Sequence, residues 1–412
     1  MTFTDRSRVL RAVPSGLAAL VEVAFLAGGL SIGVTLHAQA PGEPPVVLPR
    51  VDVSAGVPVV KVADYQLLEA RWMPAAVAQG DFIYIIGGLD SHRNRLTSIE
   101  RFNVRTGKSE PFAQLQIGRR GHRAILVGDK VFVLGGSVRV SVTAPDSGIK
   151  PSTDRVMPVT NKQTPEAGRN IDPDSEYVVR KRLGELETLS EMAAQVPERM
   201  VVAQSGVIEI VDIATRTVTR AADMPEPRLS FTGVLRAGKI YVIGGQRPYR
   251  KTGMTAVTNT SWVLDLATGQ WSSGIPMPTP RDNTNGVLVD GGVIVVPGGY
   301  DGQRMHDEVE VFNPADGIWR ILPPLCKSVS AASVVFFNHY LLLFGSFESP
   351  GELIAYDLAN RRSDAFTLKY KPARHTAAVV LDGKIYVIGG MASVDGEALN
   401  YIQVFAPPKK AS

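Results

Sequence analysis

The chain holds a single cysteine, Cys326, in 412 residues. One thiol excludes an intrachain disulfide framework and any zinc cluster built on cysteine. Histidine is scarce too, at six residues, and no H-E-x-x-H or paired-histidine spacing occurs. No metal and no cofactor are therefore expected. An excess of one charge is also missing, since 44 basic residues face 40 acidic ones for a net charge of +4. That balance argues against a general nucleic-acid binder. Gly-x-Ser-x-Gly, phosphate-loop and dinucleotide fingerprints are absent. What is plentiful is glycine, at 39, and proline, at 28, so turns are many and long helices cannot dominate. With 44% hydrophobic and 20% charged residues the chain is neither disordered nor wholly membrane-embedded. Its length exceeds one ordinary core, unless it is built of repeats.

The first 40 residues have the layout of an export signal or membrane anchor. Arg6, Arg8 and Arg11 precede an apolar run from Val23 to Leu36, and Ala38-Gln39-Ala40 follows. A basic start, an apolar middle and small residues at the cut are what a signal peptidase reads. The 14-residue run is short for a span of about 20 residues. Extending it back to Val13 would place Glu22 in the bilayer, which is costly. Pro41 sits poorly just after the proposed cut, which leaves an uncleaved anchor open. Either outcome puts the rest of the chain outside the cytoplasm, periplasmic or extracellular. Residues 41–58 hold four prolines between Pro41 and Pro49 and read as an extended linker.

The body repeats itself. Alternating apolar residues end in a glycine pair at Phe82–Gly88, Val131–Gly136, Ile240–Gly245, Val293–Gly299 and Ile385–Gly390, and in Gly345-Ser346 after Tyr340. The first glycines fall at 87, 135, 244, 298, 345 and 389. Before each lies another apolar stretch and a tight turn, such as Gly80-Asp81, Gly128-Asp129 or Asp382-Gly383, which predicts a hairpin. After each comes a short strand ending in Asp or Asn: Ile99–Asn103, Ile208–Asp212, Trp262–Asp265, Val309–Asn313 and Ile354–Asp357. A fourth strand often carries an aromatic residue, as at Trp271, Trp319 and Phe366.

Four antiparallel strands with a glycine pair, an acidic position and a tryptophan, recurring about every 50 residues, resemble the kelch-repeat family. The resemblance covers about residues 65–406. It implies an all-β, six-bladed propeller over residues 59–408. The strand before the glycines is apolar on both faces because it lies between neighbouring blades. One blade cannot bury its own faces, so six stack radially. The last copy supplies only three strands before Ala406-Pro407-Pro408. Tyr65–Leu68, within the strand-like stretch from Val59, is expected to complete it and clasp the ends together.

One interval is about 60 residues too long. Residues 137–205 form an insertion between the second and third strands of blade two. It carries no glycine pair, which argues against a seventh blade. Its first half is polar. Its second half reads as a helix opened by Asp172-Pro173, with Leu183, Leu186, Leu189, Met192 and Val196 at helical spacing and Pro197 as its stop. Such a segment either packs on the rim or reaches over a face as a docking arm.

Candidate site residues follow from the same repeat. Arg71, Arg119 or Arg120, Arg228, Arg281, Lys327 and Arg374 precede the glycine pairs. On one rim they would form a guanidinium ring suited to carboxylates or phosphates. The structural alternative is that each pairs with neighbouring acids. His122 and His375 follow two of these arginines and read as one repeated position. Among kelch enzymes, the copper radical oxidases need a Tyr–Cys crosslink that Cys326 is badly placed to make. The periplasmic sialic-acid mutarotases are exported and six-bladed, but only the generic pattern matches. The preferred expectation is a non-catalytic scaffold binding a protein or an acidic glycan of the cell envelope through its loop face and the insertion. The alternative is a sugar-active enzyme of the mutarotase type.

Overall fold

A computed structural model describes residues 56–143, 198–249, 254–393 and 396–408. They belong to the unit Leu48–Ser412, and the following concerns that unit alone. The expected export segment, most of the linker and the expected helix of the insertion lie outside the described residues.

The described chain is a six-bladed β-propeller. Blade one holds strands Ala75–Gln79, Phe82–Ile86, Ser98–Asn103 and Lys108–Gln114. Blade two holds Arg123–Val127, Lys130–Leu134, Ile208–Asp212 and Val218–Arg220. Blade three holds Thr232–Arg236, Lys239–Ile243, Ser261–Asp265 and Gln270–Gly274. Blade four holds Val287–Leu288, Ile294–Pro297, Val309–Asn313 and Ile318–Leu322. Blade five holds Ser333–Phe337, Tyr340–Phe344, Glu352–Asp357 and Arg362–Thr367. In each, successive strands pair antiparallel. The first strand of every blade touches the first strands of both neighbours, so these six close a ring around an axial channel.

Blade six has Ala377–Leu381, Lys384–Ile388 and Tyr401–Ala406, and its outer strand comes from the other end of the chain. Val60–Gln66 pairs antiparallel with it, with Tyr65 opposite Ile402 and Gln66 opposite Tyr401. The sequence predicts this clasp but starts it at Tyr65. The strand begins earlier because its alternation of exposed and half-covered residues starts at Val60.

Packing explains why the second strand of each blade is apolar on both faces. Ile83 and Ile85 enter the cluster shared with blade six, while Tyr84 and Ile86 enter the cluster shared with blade two. Successive strand residues point to opposite faces, so one strand feeds two cores. Each fully buried side chain of this kind contributes about 1.5–3 kcal/mol.

The turns sort the two ends of the propeller. Tight turns join first to second and third to fourth strands at one face. The blade-to-blade links and the longer links between second and third strands lie at the other. At this second face the insertion begins and ends as a β-hairpin, with Ser137–Thr143 paired to Glu198–Gln204 from end to end. Arg119–Arg120 adds a third strand against Ser137 and Val138. The first half of the insertion, expected to be polar, opens as a strand. The alternation Ser137-Val-Arg-Val-Ser-Val-Thr143 is the sequence signal for it. Blade three sends out a second hairpin from the matching link, Gln246–Tyr249 with Met254–Val257.

Candidate functional site

The residues that open the blades act as joints. In blade two the Arg119 guanidinium donates to the carbonyls of Gly135, at 3.0 Å, and Val207, at 2.9 Å. It also pairs with the Glu209 carboxylate. Its own carbonyl accepts from the Gly88 amide of blade one at 2.9 Å. One residue thus ties the second glycine of one blade to the first glycine of the next. Arg71 repeats this, with Gly87 and Ser98 carbonyls, the Glu100 carboxylate and the Gly390 amide. Arg281 repeats it with Gly298, Glu308, Glu310 and the Gly245 amide. In blade three the third strand offers Trp262 where blades one, two and four carry glutamate. Arg228 turns instead to Glu226 at 2.6 Å and to the Thr260 hydroxyl.

The glycine pairs fit this joint. Gly87 and Gly88 have φ of 55° and 102°, a region other residues rarely enter. A Cβ on Gly87 would stand 2.9 Å from the Arg119 carbonyl oxygen.

The expected guanidinium ring is therefore turned inward. Arg71, Arg119, Arg228, Arg281 and Arg374 are all buried, at 0–2% exposure. Burial lowers the pKa of Arg119 and Arg281 and takes Arg228 down to about 10, while the paired carboxylates oppose the shift. Lys327 and Arg374 do not share the joint position. Val329 and Ala373 hold it, since their carbonyls face Gly298 and Gly345 as the Arg119 carbonyl faces Gly87. Lys327 instead pairs with Glu352. Arg374 lies over the Phe347 ring at 4.1 Å and donates to its carbonyl. Arg120 is its counterpart in blade two. It sits 5.8 Å from the Trp72 ring and 3.2 Å from the Met73 sulfur.

The two histidines are not equivalent. His122 is fully buried, wedged against Gly87 and Gly136. Burial and the nearby Arg119 and Arg123 charges hold its pKa well below the usual value, so it stays neutral. His375 stands one position earlier in the repeat, at the channel mouth beside Trp72, with rings 5.7 Å apart.

At that mouth the chain forms a second closed circle. Gly121 donates its amide to Met73, Ser230 to Gly121, Asn283 to Ser230, Ala331 to Asn283, His375 to Ala331 and Met73 to His375. The six distances run from 2.8 to 3.3 Å. All six residues have positive φ, between 49° and 61°, and five of them are not glycine. That conformation costs each about 1–2 kcal/mol, and the circle holds it in place. Sequence reading missed this position because no single residue type marks it.

Among the described residues, no group of three His, Cys, Asp or Glu side chains could hold a metal ion. Of the sequence candidates, only Arg120 and His375 come together, around Trp72 and Met73. Arg119 and His122 are neighbours in blade two, and the rest are spread one to a blade.

Comparison with known proteins agrees with the geometry. The Kelch motif model matches residues 71–116, 227–278, 285–325 and 372–410. These lie in blades one, three, four and six. The two unmatched blades are the one carrying the insertion and the one with Gly345-Ser346. The chain is 29% identical to Kelch-like protein 25 of Xenopus tropicalis over 192 residues, which is 44% of this chain and 32% of that protein. Human Kelch-like protein 25 is also 29% identical, over 197 residues and the same shares. Kelch-like protein 23 of Mus musculus is 25% identical over 194 residues, 45% of this chain and 34% of that protein. The match thus spans about a third of the length of these relatives. Blade topology, glycine pairs and motif matches agree that the chain is built of kelch repeats.

Proposed function

We propose that this propeller is a protein-binding scaffold whose docking element is the pair of hairpins on its loop face. The observation that carries this reading is their adjacency. The blade-two arm, through Glu198–Gln204, touches the blade-three hairpin at Gln246–Tyr249. Two arms from neighbouring blades offer one continuous protruding edge, and edges of this kind pair with partner chains. An acidic glycan has less support, because the guanidinium groups meant to hold it are enclosed by the blades. The same enclosure removes the arginines a mutarotase-like site would use.

The finer reading is an exported scaffold, periplasmic or extracellular, with the amino-terminal segment cut after Ala40 or kept as an anchor. Arg6, Arg8, Arg11, the run Val23–Leu36 and Ala38-Gln39-Ala40 support it. The partner would then belong to the cell envelope. Amino-terminal sequencing of the mature protein tests this part, and an intact Met1 on a cytoplasmic protein refutes it.

The docking element is tested by replacing residues 140–201 with Asn-Gly, which recloses the hairpin. The expected result is an unchanged melting midpoint and lost partner capture. Capture that survives the replacement would remove the arm from the reading.

A further inference from the structure

Arg123 opens the first strand of blade two and differs from the joint arginines Arg71, Arg119, Arg228 and Arg281, each of which pairs with a carboxylate. Among the described residues no carboxylate pairs with Arg123. One guanidinium nitrogen donates to the Thr284 carbonyl of blade four at 3.1 Å, and the other to the His122 carbonyl at a long 3.4 Å. Its side chain therefore crosses the channel in front of blade three. Gly233 leaves room for that path, since a Cβ there would come within 3.1 Å of the Arg123 Cβ. The Phe231 ring, 5.9 Å away, is its other neighbour.

Arg123 also borders a cavity in the axis. Every blade contributes to its wall, including Met73, Ser230, Asn285, Ala332 and Thr376. None of the wall residues is acidic. The enclosed part has room for only a few water-sized molecules. Burial alone pulls the Arg123 pKa down to about 10, so the group still carries its charge at neutral pH. Arg123 is half-buried, and a cation drawn from water without a counter-charge is costly unless something pairs with it.

We propose that the axial cavity binds a small free anion, a carboxylate or tetrahedral oxoanion, on the guanidinium of Arg123. Planar guanidinium donors suit oxygen anions, and two carbonyls leave donors to spare. Asn285 is the nearby neutral group best suited to assist, although its amide already donates to Ala332 at 3.3 Å. The ligand is a small ion because the enclosed part of the cavity has room for little more. This inference does not depend on the docking role of the hairpins.

The test is calorimetric titration of the full chain with sodium acetate and sodium sulfate at constant ionic strength, beside melting curves. One saturable site is expected, with a saturable rise in melting midpoint. Arg123→Met should abolish it, and Arg123→Lys should weaken it at least tenfold by losing the planar fork. In anion-free buffer Arg123→Met should melt no lower than the native chain, because it removes a half-buried charge with no counter-charge. Should Arg123→Met not fold, Arg123→Lys and Asn285→Ala carry the test. No saturable binding to the native chain, or binding that these variants leave unchanged, would overturn the proposal. So would a response to a short acidic peptide with none to acetate or sulfate, which would make the cavity a peptide subsite.

Discussion

The Met73 amide donates to the His375 carbonyl at 2.8 Å, and this bond joins the first blade to the last. It is the inner half of the closure. The outer half is the pairing of Val60–Gln66 with Tyr401–Ala406. The two closures lie at opposite radii of the same blade junction, so neither end can leave without exposing apolar surface. Tyr65, for example, lies on the Phe102 ring of blade one at 5.1 Å.

A chain beginning at Ala70 lacks the outer strand and should lose cooperative folding, whereas one beginning at Gly56 should keep it. Urea denaturation followed by tryptophan fluorescence distinguishes them. Equal midpoints for the two chains would show that the clasp is dispensable.

Removing one partner of a buried joint should be severe. Glu209→Gln leaves the Arg119 charge enclosed and is expected to cost about 3–5 kcal/mol, the usual result of breaking a buried pair. Changing both residues, to Met and Leu, should cost less than either single change. The pair Arg105–Asp81 lies in solvent, and its loss should leave the denaturation midpoint in place. A double-mutant cycle measures all three.

Glycines with the same backbone angle should differ by what surrounds them. Gly80 and Gly345 have φ of 56° and 68°. A Cβ on Gly80 meets nothing within 4 Å, but on Gly345 it would collide with the Ala373 carbonyl. Gly80→Ala should cost only the left-handed strain, about 1 kcal/mol. Gly345→Ala should cost several times that, read as a drop in melting midpoint. Equal losses would mean that blade six yields to blade five.

Asp282 gives the fold a pH dependence. It is fully buried and accepts from the Gln246 side chain at the root of the blade-three hairpin. Burial raises its pKa to about 7, against an ordinary value near 3.9. Between about pH 4 and 7 the folded chain binds a proton that the unfolded chain has released. This contribution is therefore full at low pH and is lost as pH rises through 7. Asp282→Asn should narrow its stability deficit, or exceed the native chain, as pH rises across that window. A difference that stays flat with pH would place the proton elsewhere.

The fold was legible because its signals recur. Five glycine pairs and Gly345-Ser346, the turns before them and the aromatic fourth strands each state the same blade. The joint was legible only by half. Arg71, Arg119 and Arg228 stand at one interval before Gly87, Gly135 and Gly244, and Val329 and Ala373 keep that interval in blades five and six. Reading for charge picked Lys327 and Arg374 instead, one or two residues off. Glu100, Glu209 and Glu310 each stand at a matching place in a third strand. They are the partners that turn the arginines inward, and their recurrence was visible. The circle at the axis was not, because Met, Gly, Ser, Asn, Ala and His share a backbone angle and no side-chain chemistry. Arg123 escaped for the opposite reason, as its position in the other blades holds no arginine.

The circle of six amides also has a direction. Each blade donates to the one made before it, except Met73, which must wait for the last. A ribosome delivers Met73 early and His375 near the end. During synthesis the growing chain is an open arc with one unsatisfied amide at its leading blade. That amide can find its acceptor only once His375 has been made. A nascent chain of this design cannot lock prematurely, and a truncated translation product carries its own mark of incompleteness.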